Sequence, residues 1–140
     1  MIGVTAHDIL TSSGAHDERL DWVSPAVERN AHNLAPLVTA LLLEFGEMRP
    51  INSGFRDITV QRELVKQKKT KNVFSWHLMG QAVDLSDPDG RLGAWALVNE
   101  AALAELGLYA EHPEATNTKD GRWLHVQTVP PPSGRRIFRP

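Results

Sequence analysis

"SWHLMGQAVDL", residues 75 to 85, decides how the chain reads. It places a His at 77, a Gly at 80 and an Asp at 84, with apolar residues between them. A loop has no use for the apolar residues, and a core strand has none for the His and the Asp. The stretch therefore reads as chain buried on one side and chemically active on the other. Alternate side chains of a strand share a face. In "QAVDL", Ala82 and Asp84 thus point one way and Val83 and Leu85 the other. "RWLHVQT", residues 122 to 128, repeats the arrangement: Trp123, His125 and Gln127 share one face, Leu124 and Val126 the opposite one. Both strands gain an apolar core face and each offers a metal-competent side chain on its other face. If Gly80 turns the chain back, His77 and Asp84 meet His125 across the sheet.

Two imidazoles and one carboxylate suit catalytic zinc, because three protein ligands leave the fourth tetrahedral position open. Zinc lowers the pKa of bound water to about 7 and polarises a carbonyl. With no cysteine in the chain the site is borderline to hard, which favours zinc and leaves other divalent ions open. Taken singly, each of the three residues fits an ordinary hydrogen-bonded role; it is the set that points to a metal.

Working outward, "SPAVERNAHNLAPLVTALLLEF" is a core helix, with Ser24 as N-cap, Pro25 at the first helical position and Val27, Leu34, Leu37, Val38, Leu41 and Leu42 at helical spacing. Pro36 is expected to kink or split it, and Gly46 and Pro50 to end it. Residues 1 to 23 carry weak signals. "INSGFRD" reads as a short strand running into a turn at Gly54, and "ITVQRELVKQKKTKN" as a short helix with a basic, solvated end. "VFSWHLMGQAVDLSD" reads as strand, turn at Gly80, strand; "SDPDG" is a turn. "RLGAWALVNEAALAELG" is a second amphipathic helix with Gly107 at its C-cap. Two strands follow, near residues 108 to 112 and 122 to 128. The tail, 129 to 140, is a Pro/Arg-rich strap expected to lack regular structure. The expected fold is α+β: helices packed on one side of a small antiparallel sheet, in a single domain over 1 to 140.

The 140 residues are 41% hydrophobic, enough for one core, and the net charge of -2 gives no electrostatic argument for nucleic acid or membrane. The lack of cysteine excludes disulfides and thiol chemistry. No apolar run approaches the roughly 20 residues that span a bilayer. "MIGVTAHDIL" has no basic region followed by an apolar core, so the protein is expected to be made in the cytoplasm without a signal peptide and to need delivery if it acts outside.

"SWHLMGQAVD" fits the pattern Ser-x-His-x-x-Gly-x-Ala-x-Asp at Ser75, His77, Gly80, Ala82 and Asp84. In this it resembles the zinc D-alanyl-D-alanine carboxypeptidases and dipeptidases, a superfamily that includes phage L-alanyl-D-glutamate endopeptidases and the hedgehog signalling domain. "INSGFRD" is similar to the family's Ser-Gly-Tyr-Arg segment, with Phe55 for Tyr, and "RWLHV" to the segment carrying the last His ligand. The resemblance spans roughly residues 27 to 128. It implies that His77, Asp84 and His125 bind one zinc ion, that Arg56 holds a substrate carbonyl or carboxylate, and that Ser75, Trp123 and Gln127 line the substrate site. It also implies a peptidase cutting peptidoglycan stem peptides, at D-Ala-D-Ala or L-Ala-D-Glu, acting on the cell wall after release or delivery. A phage or prophage product of this size would fit.

One position departs from the pattern. Many relatives carry a Glu three residues before the last His as general base; here it is Arg122, which cannot accept a proton. Glu111, in "LYAEHP", is the first candidate to replace it and Asp120 the second, with Glu114 and His112 also in the segment. The departure motivates an alternative, a catalytically inactive metal domain with a structural or binding role in a larger assembly. Nucleic-acid binding through Lys66 to Lys71 is weaker, since that cluster reads as a solvated helix end.

Overall fold

The computed structural model describes residues 3–11, 23–69 and 75–140. The chain opens with α1 (Ala6–Thr11), whose N-terminus is closed reciprocally: the Thr5 N–H donates to Asp8 Oδ2 at 2.9 Å and the Asp8 N–H to Thr5 Oγ1 at 3.1 Å. Sequence reading had left this segment without an assignment. α2 (Pro25–Phe45) begins where expected, with Ser24 accepting a hydrogen bond from the Val27 N–H, and ends at Gly46, whose φ of 97° is left-handed. It runs without interruption through Pro36, so the helix is not split there. The reason is position: Pro36 and His32, whose carbonyl loses its helical donor, both lie on the exposed face, where water can take the missing partner's place.

Next come β1 (Ile51–Ser53), α3 (Ile58–Lys66), a one-turn 3-10 helix (Trp76–Met79) and β2 (Ala82–Ser86). The 3-10 turn replaces the expected first strand of a strand–turn–strand unit over residues 76–79. Ser75 caps its start, its Oγ accepting from the His77 N–H, and this local bond favours a turn over extended chain. Val73 and Phe74, also assigned to that strand, lie outside the described residues. The expected single helix over residues 91–106 is two, α4 (Arg91–Val98) and α5 (Glu100–Leu106). Asn99 separates them: its side-chain amide donates to the Trp95 carbonyl at 2.8 Å and its N–H to Ala96, competing with helical pairing. β3 (Tyr109–Glu111), β4 (Asn117–Thr118), β5 (Gly121–Gln127) and β6 (Ile137–Phe138) complete the chain, with a 3-10 turn at Pro113–Thr116.

The strand order is β1-β2-β5-β3-β6, with β4 paired to β5. All pairs are antiparallel except β3 with β6. β6 corrects the expectation of an irregular tail. "RRIF" is free of proline, so its backbone can pair, and the Ala110 and His112 N–H groups donate to Arg136 and Phe138 carbonyls at 2.7 and 2.8 Å.

The alternation read from the two central strands holds. Val83, Leu85, Leu124 and Val126 enter the hydrophobic core with Leu34, Val38, Leu41 and Leu42 of α2, Leu92 of α4 and Leu103 of α5. Each fully buried Leu or Val contributes roughly 1.5–3 kcal/mol. The α+β class with helices packed against a small sheet is as expected. No described helix is long and apolar enough to cross a membrane.

Candidate metal centre

The central pair β2·β5 sets Asp84 directly opposite His125. His77 arrives from the 3-10 turn. Gly80 ends that turn at φ 69°, where a Cβ would stand 2.9 Å from the Val27 carbonyl oxygen, so only glycine lets the chain turn this close to α2. Asn30 of α2 reaches across to donate to the Met79 carbonyl at 2.9 Å, and the Arg56 N–H donates to the His77 carbonyl at 3.1 Å. The turn is thereby held from both sides.

His77 Nε2 lies 3.3 Å and His125 Nδ1 2.9 Å from the same oxygen, Asp84 Oδ1. Ligand atoms of the three residues all lie within 4.8 Å of one another, and all three residues are buried. Two ligands on a tetrahedral zinc with bonds of 2.0–2.1 Å are about 3.4 Å apart, so the set is close to the spacing a metal needs. The ring nitrogens that face away are engaged: His77 Nδ1 with the Gly54 carbonyl at 2.8 Å, His125 Nε2 with Gln127 Oε1 at 2.7 Å. This leaves His77 Nε2 and His125 Nδ1 aimed inward beside a carboxylate, a donor set that fits zinc.

Asp84 Oδ2 accepts from Arg56 at 3.2 Å, and Arg56 is itself fixed by donating Nε–H to Ser53 Oγ at 2.9 Å and an Nη1 hydrogen to Gln61 Oε1 at 3.2 Å. Sequence reading missed Ser53, Gln61 and Asn30. Gln61 is fully buried on α3, yet nothing in "ITVQRELVK" marks a glutamine as inward-facing.

Electrostatics follow from this packing. Burial alone would raise the Asp84 pKa, but His77 and the hydrogen bonds from both imidazoles outweigh it and hold the carboxyl well below the usual range. Burial would lower His125, but its hydrogen bond to Asp84, with the charges of Asp84 and Glu111, pushes it up to about 9. Burial dominates at His77, lowering its pKa in spite of Asp84. Burial likewise raises Glu111 and lowers Arg56.

A cleft of about 350 Å³ opens over the cluster, lined by Arg56, Ser75, Glu111 and Trp123 as well as the three ligand candidates. Ser75 both caps the turn and faces the cleft. A neighbouring lobe of about 420 Å³ is walled by the tail, including Pro131, Pro132 and Phe138. A larger cavity of about 530 Å³ lies by Val4, Arg49 and Ile51. Its carboxylate, Asp8, already caps α1, and the chemistry therefore favours the smaller cleft.

The base candidates separate clearly. Glu111 lines the cleft. Asp120 is exposed in the β4–β5 turn, Glu114 is exposed and paired with Arg139 at 3.0 Å, and His112 caps the following turn by accepting from the Glu114 N–H. Arg122 is exposed and donates to Asn117 Oδ1 at 3.1 Å. Gln127, expected to meet substrate, is 4% exposed with its amide on His125 and on the Val129 carbonyl. Lys66, Lys68 and Lys69 are exposed, and Lys69 reaches the edge of the cleft.

No protein-family model matches the chain, and no curated protein matches it in sequence. Among solved structures the chain is similar to the crystal structure of the Serratia marcescens L-Ala D-Glu endopeptidase ChiX, with 23% identity over 84% of this chain and 88% of that one and a TM-score of 0.49.

Proposed function

We propose that the protein is a zinc-dependent peptidase that cuts peptidoglycan stem peptides, with His77, Asp84 and His125 as metal ligands and Glu111 as general base. The observation that carries the reading is the buried His–Asp–His set at the floor of a cleft that also holds a carboxylate and an arginine. The pattern from Ser75 to Asp84 supplies the substrate class. A bound zinc ion would supply Lewis acidity to the scissile carbonyl and to the attacking water.

The chain's own groups do the rest. Glu111 accepts the proton of the water as the new C–O bond forms, and returns it to the leaving nitrogen as the C–N bond breaks. Its raised pKa, caused first by burial, suits a group that must both take and give a proton. Arg56 has five N–H groups, and Ser53, Gln61 and Asp84 take three of them. The others are available to a substrate oxygen, where the fixed positive charge offsets charge developing on the carbonyl. Trp123 and Ser75 supply walls against which a peptide lies.

Arg122 in place of the relatives' Glu favours a second reading, a metal domain that does no hydrolysis. Mass spectrometry of peptidoglycan peptides incubated with the protein, with and without chelator, decides between them. The expected result is chelator-sensitive cleavage that falls by about 10²–10⁴ in Glu111→Gln while zinc affinity is kept. Zinc-loaded protein that leaves every wall peptide intact would establish the second reading.

A further inference from the structure

We propose that Gln127 is a positioning residue of the metal centre: it dictates which nitrogen of His125 is offered to the metal. The inference rests on the reading that His77, Asp84 and His125 bind zinc.

The argument is one of hydrogen-bond direction. The Val129 carbonyl can only accept, and it lies 2.8 Å from the Gln127 side-chain nitrogen. This fixes the amide with its NH₂ toward Val129 and its oxygen toward His125. Oε1 in turn can only accept, so the ring nitrogen 2.7 Å from it, His125 Nε2, must carry a hydrogen. Nδ1, which donates to Asp84 Oδ1 while no metal is bound, is then the nitrogen that can give up its hydrogen and offer a lone pair to a metal. A three-group relay, Val129 to Gln127 to His125, thus sets the ring's tautomer and its rotation together. His77 obtains the same service from a backbone carbonyl, that of Gly54. Of the two histidines, His125 is the one whose outer partner is a side chain. Gln127 lies inside the sheet, opposite Ala82 on one neighbour and Tyr109 on the other, and is 4% exposed, so no water replaces it freely. Outer partners of this kind change metal affinity by about 10–100-fold when removed.

Two variants separate this role from simple anchoring of the tail at Val129. Gln127→Leu removes both bonds. Gln127→Glu keeps an acceptor for His125 and loses the donor to Val129. Zinc affinity is measured at pH 7 by competition with a chromogenic chelator. The parent is expected to bind zinc, Gln127→Leu about 10–100-fold more weakly, and Gln127→Glu within about threefold of the parent. Equal losses in both variants would mean that Gln127 acts through Val129, and unchanged affinity in Gln127→Leu would mean that it does not act at all; either overturns the proposal. Nitrogen-15 spectra of the zinc-loaded parent provide a test that needs no variant to fold. The His125 ring proton must be on Nε2, and a proton on Nδ1 overturns the assignment. A parent that binds no zinc would instead bring down the metal reading, and this proposal with it.

Discussion

Asp84 and Asp87 are three residues apart, both buried, and each faces an arginine, half-buried Arg56 for the first and buried Arg49 for the second, yet their surroundings differ in kind. Asp87 follows the end of β2 and accepts from the Leu92 N–H at 2.9 Å, the Gly93 N–H at 2.8 Å and Arg49 at 3.4 Å. Two of its three partners are backbone groups at the start of α4 that have nothing else to do. Among the described residues Asp84 faces side chains alone: His125, His77 and Arg56. The two imidazoles among them can change protonation, or turn their lone pairs to a metal. One carboxylate is saturated by fixed donors and holds the fold together. The other is surrounded by exchangeable ones and is available for chemistry. Burial and an arginine partner are thus common to both acids; the remaining neighbours, backbone N–H groups for Asp87 and imidazoles for Asp84, set them apart.

The largest expected effect comes from exchanging the roles. Asp84→Ala should weaken zinc binding by more than the roughly 100-fold that outer-partner substitutions cost. Asp87→Ala should leave zinc affinity within about twofold but destabilise the fold by about 2 kcal/mol, because it frees the first N–H groups of α4 and takes one carboxylate from Arg49, which keeps Asp89 and Glu47. Urea denaturation and chelator competition on both variants measure the two quantities; a loss of zinc affinity in Asp87→Ala comparable to that in Asp84→Ala would erase the distinction.

Acidity sharpens it further. In metal-free protein His125 has a folded pKa of about 9 against 6.5 when unfolded, so its contribution to stability is fully present below about 6.5 and is lost as pH rises through about 9. The expected fall over that window is on the order of 1–3 kcal/mol. Asp84 works in the opposite sense: its lowered pKa contributes stability above about 3.8 that disappears in acid. Unfolding of chelator-treated protein at pH 6.5 and pH 9 reads the first effect, and Asp84→Asn should flatten it. A slope that survives Asp84→Asn would assign it to some other group.

The smallest effect concerns the glycines that frame the two regions. Gly80, beside the site, and Gly107, at the end of α5, share a left-handed φ of 69°, but a Cβ at Gly107 meets nothing within 4 Å. Alanine at Gly107 should cost about 1–2 kcal/mol for its backbone conformation alone. Alanine at Gly80 should cost more, since the Val27 carbonyl must also move. Thermal melts of the two variants check the order, and equal melting temperatures would show that α2 gives way without cost.

Much of this was legible in the sequence, for a physical reason. A strand's period of two converts "QAVDL" and "RWLHVQ" directly into faces, so Asp84 and His125 could be placed on one side of the sheet before any coordinates. His77 was legible only as a partner across a turn, and the turn's form was not, because Trp76 and Leu78 alternate like strand residues while the Ser75 cap imposes a 3-10 helix. The break at Asn99 depends on one side-chain bond to Trp95. β6 is two residues long, too short to show a period. Gln61 and Asn30 belong to helices whose sequence marks only the apolar stripe, and their roles exist through what α2 and α3 pack against. Which of the two acids, Glu111 or Asp120, faces the cleft could not be read from spacing; Glu111 lines it and Asp120 is exposed.

The two halves of the Asp84–His125 pair are 41 positions apart in the chain. The segment that contributes His77 and Asp84 offers only two ligands, and β5 must dock between β2 and β3 before the third arrives. If the three residues hold zinc as proposed, no local fragment could trap the ion, and its capture would report that β2 and β5 have paired. A hundredfold excess of zinc over its dissociation constant would add about 2.7 kcal/mol to the finished state while favouring none of its precursors.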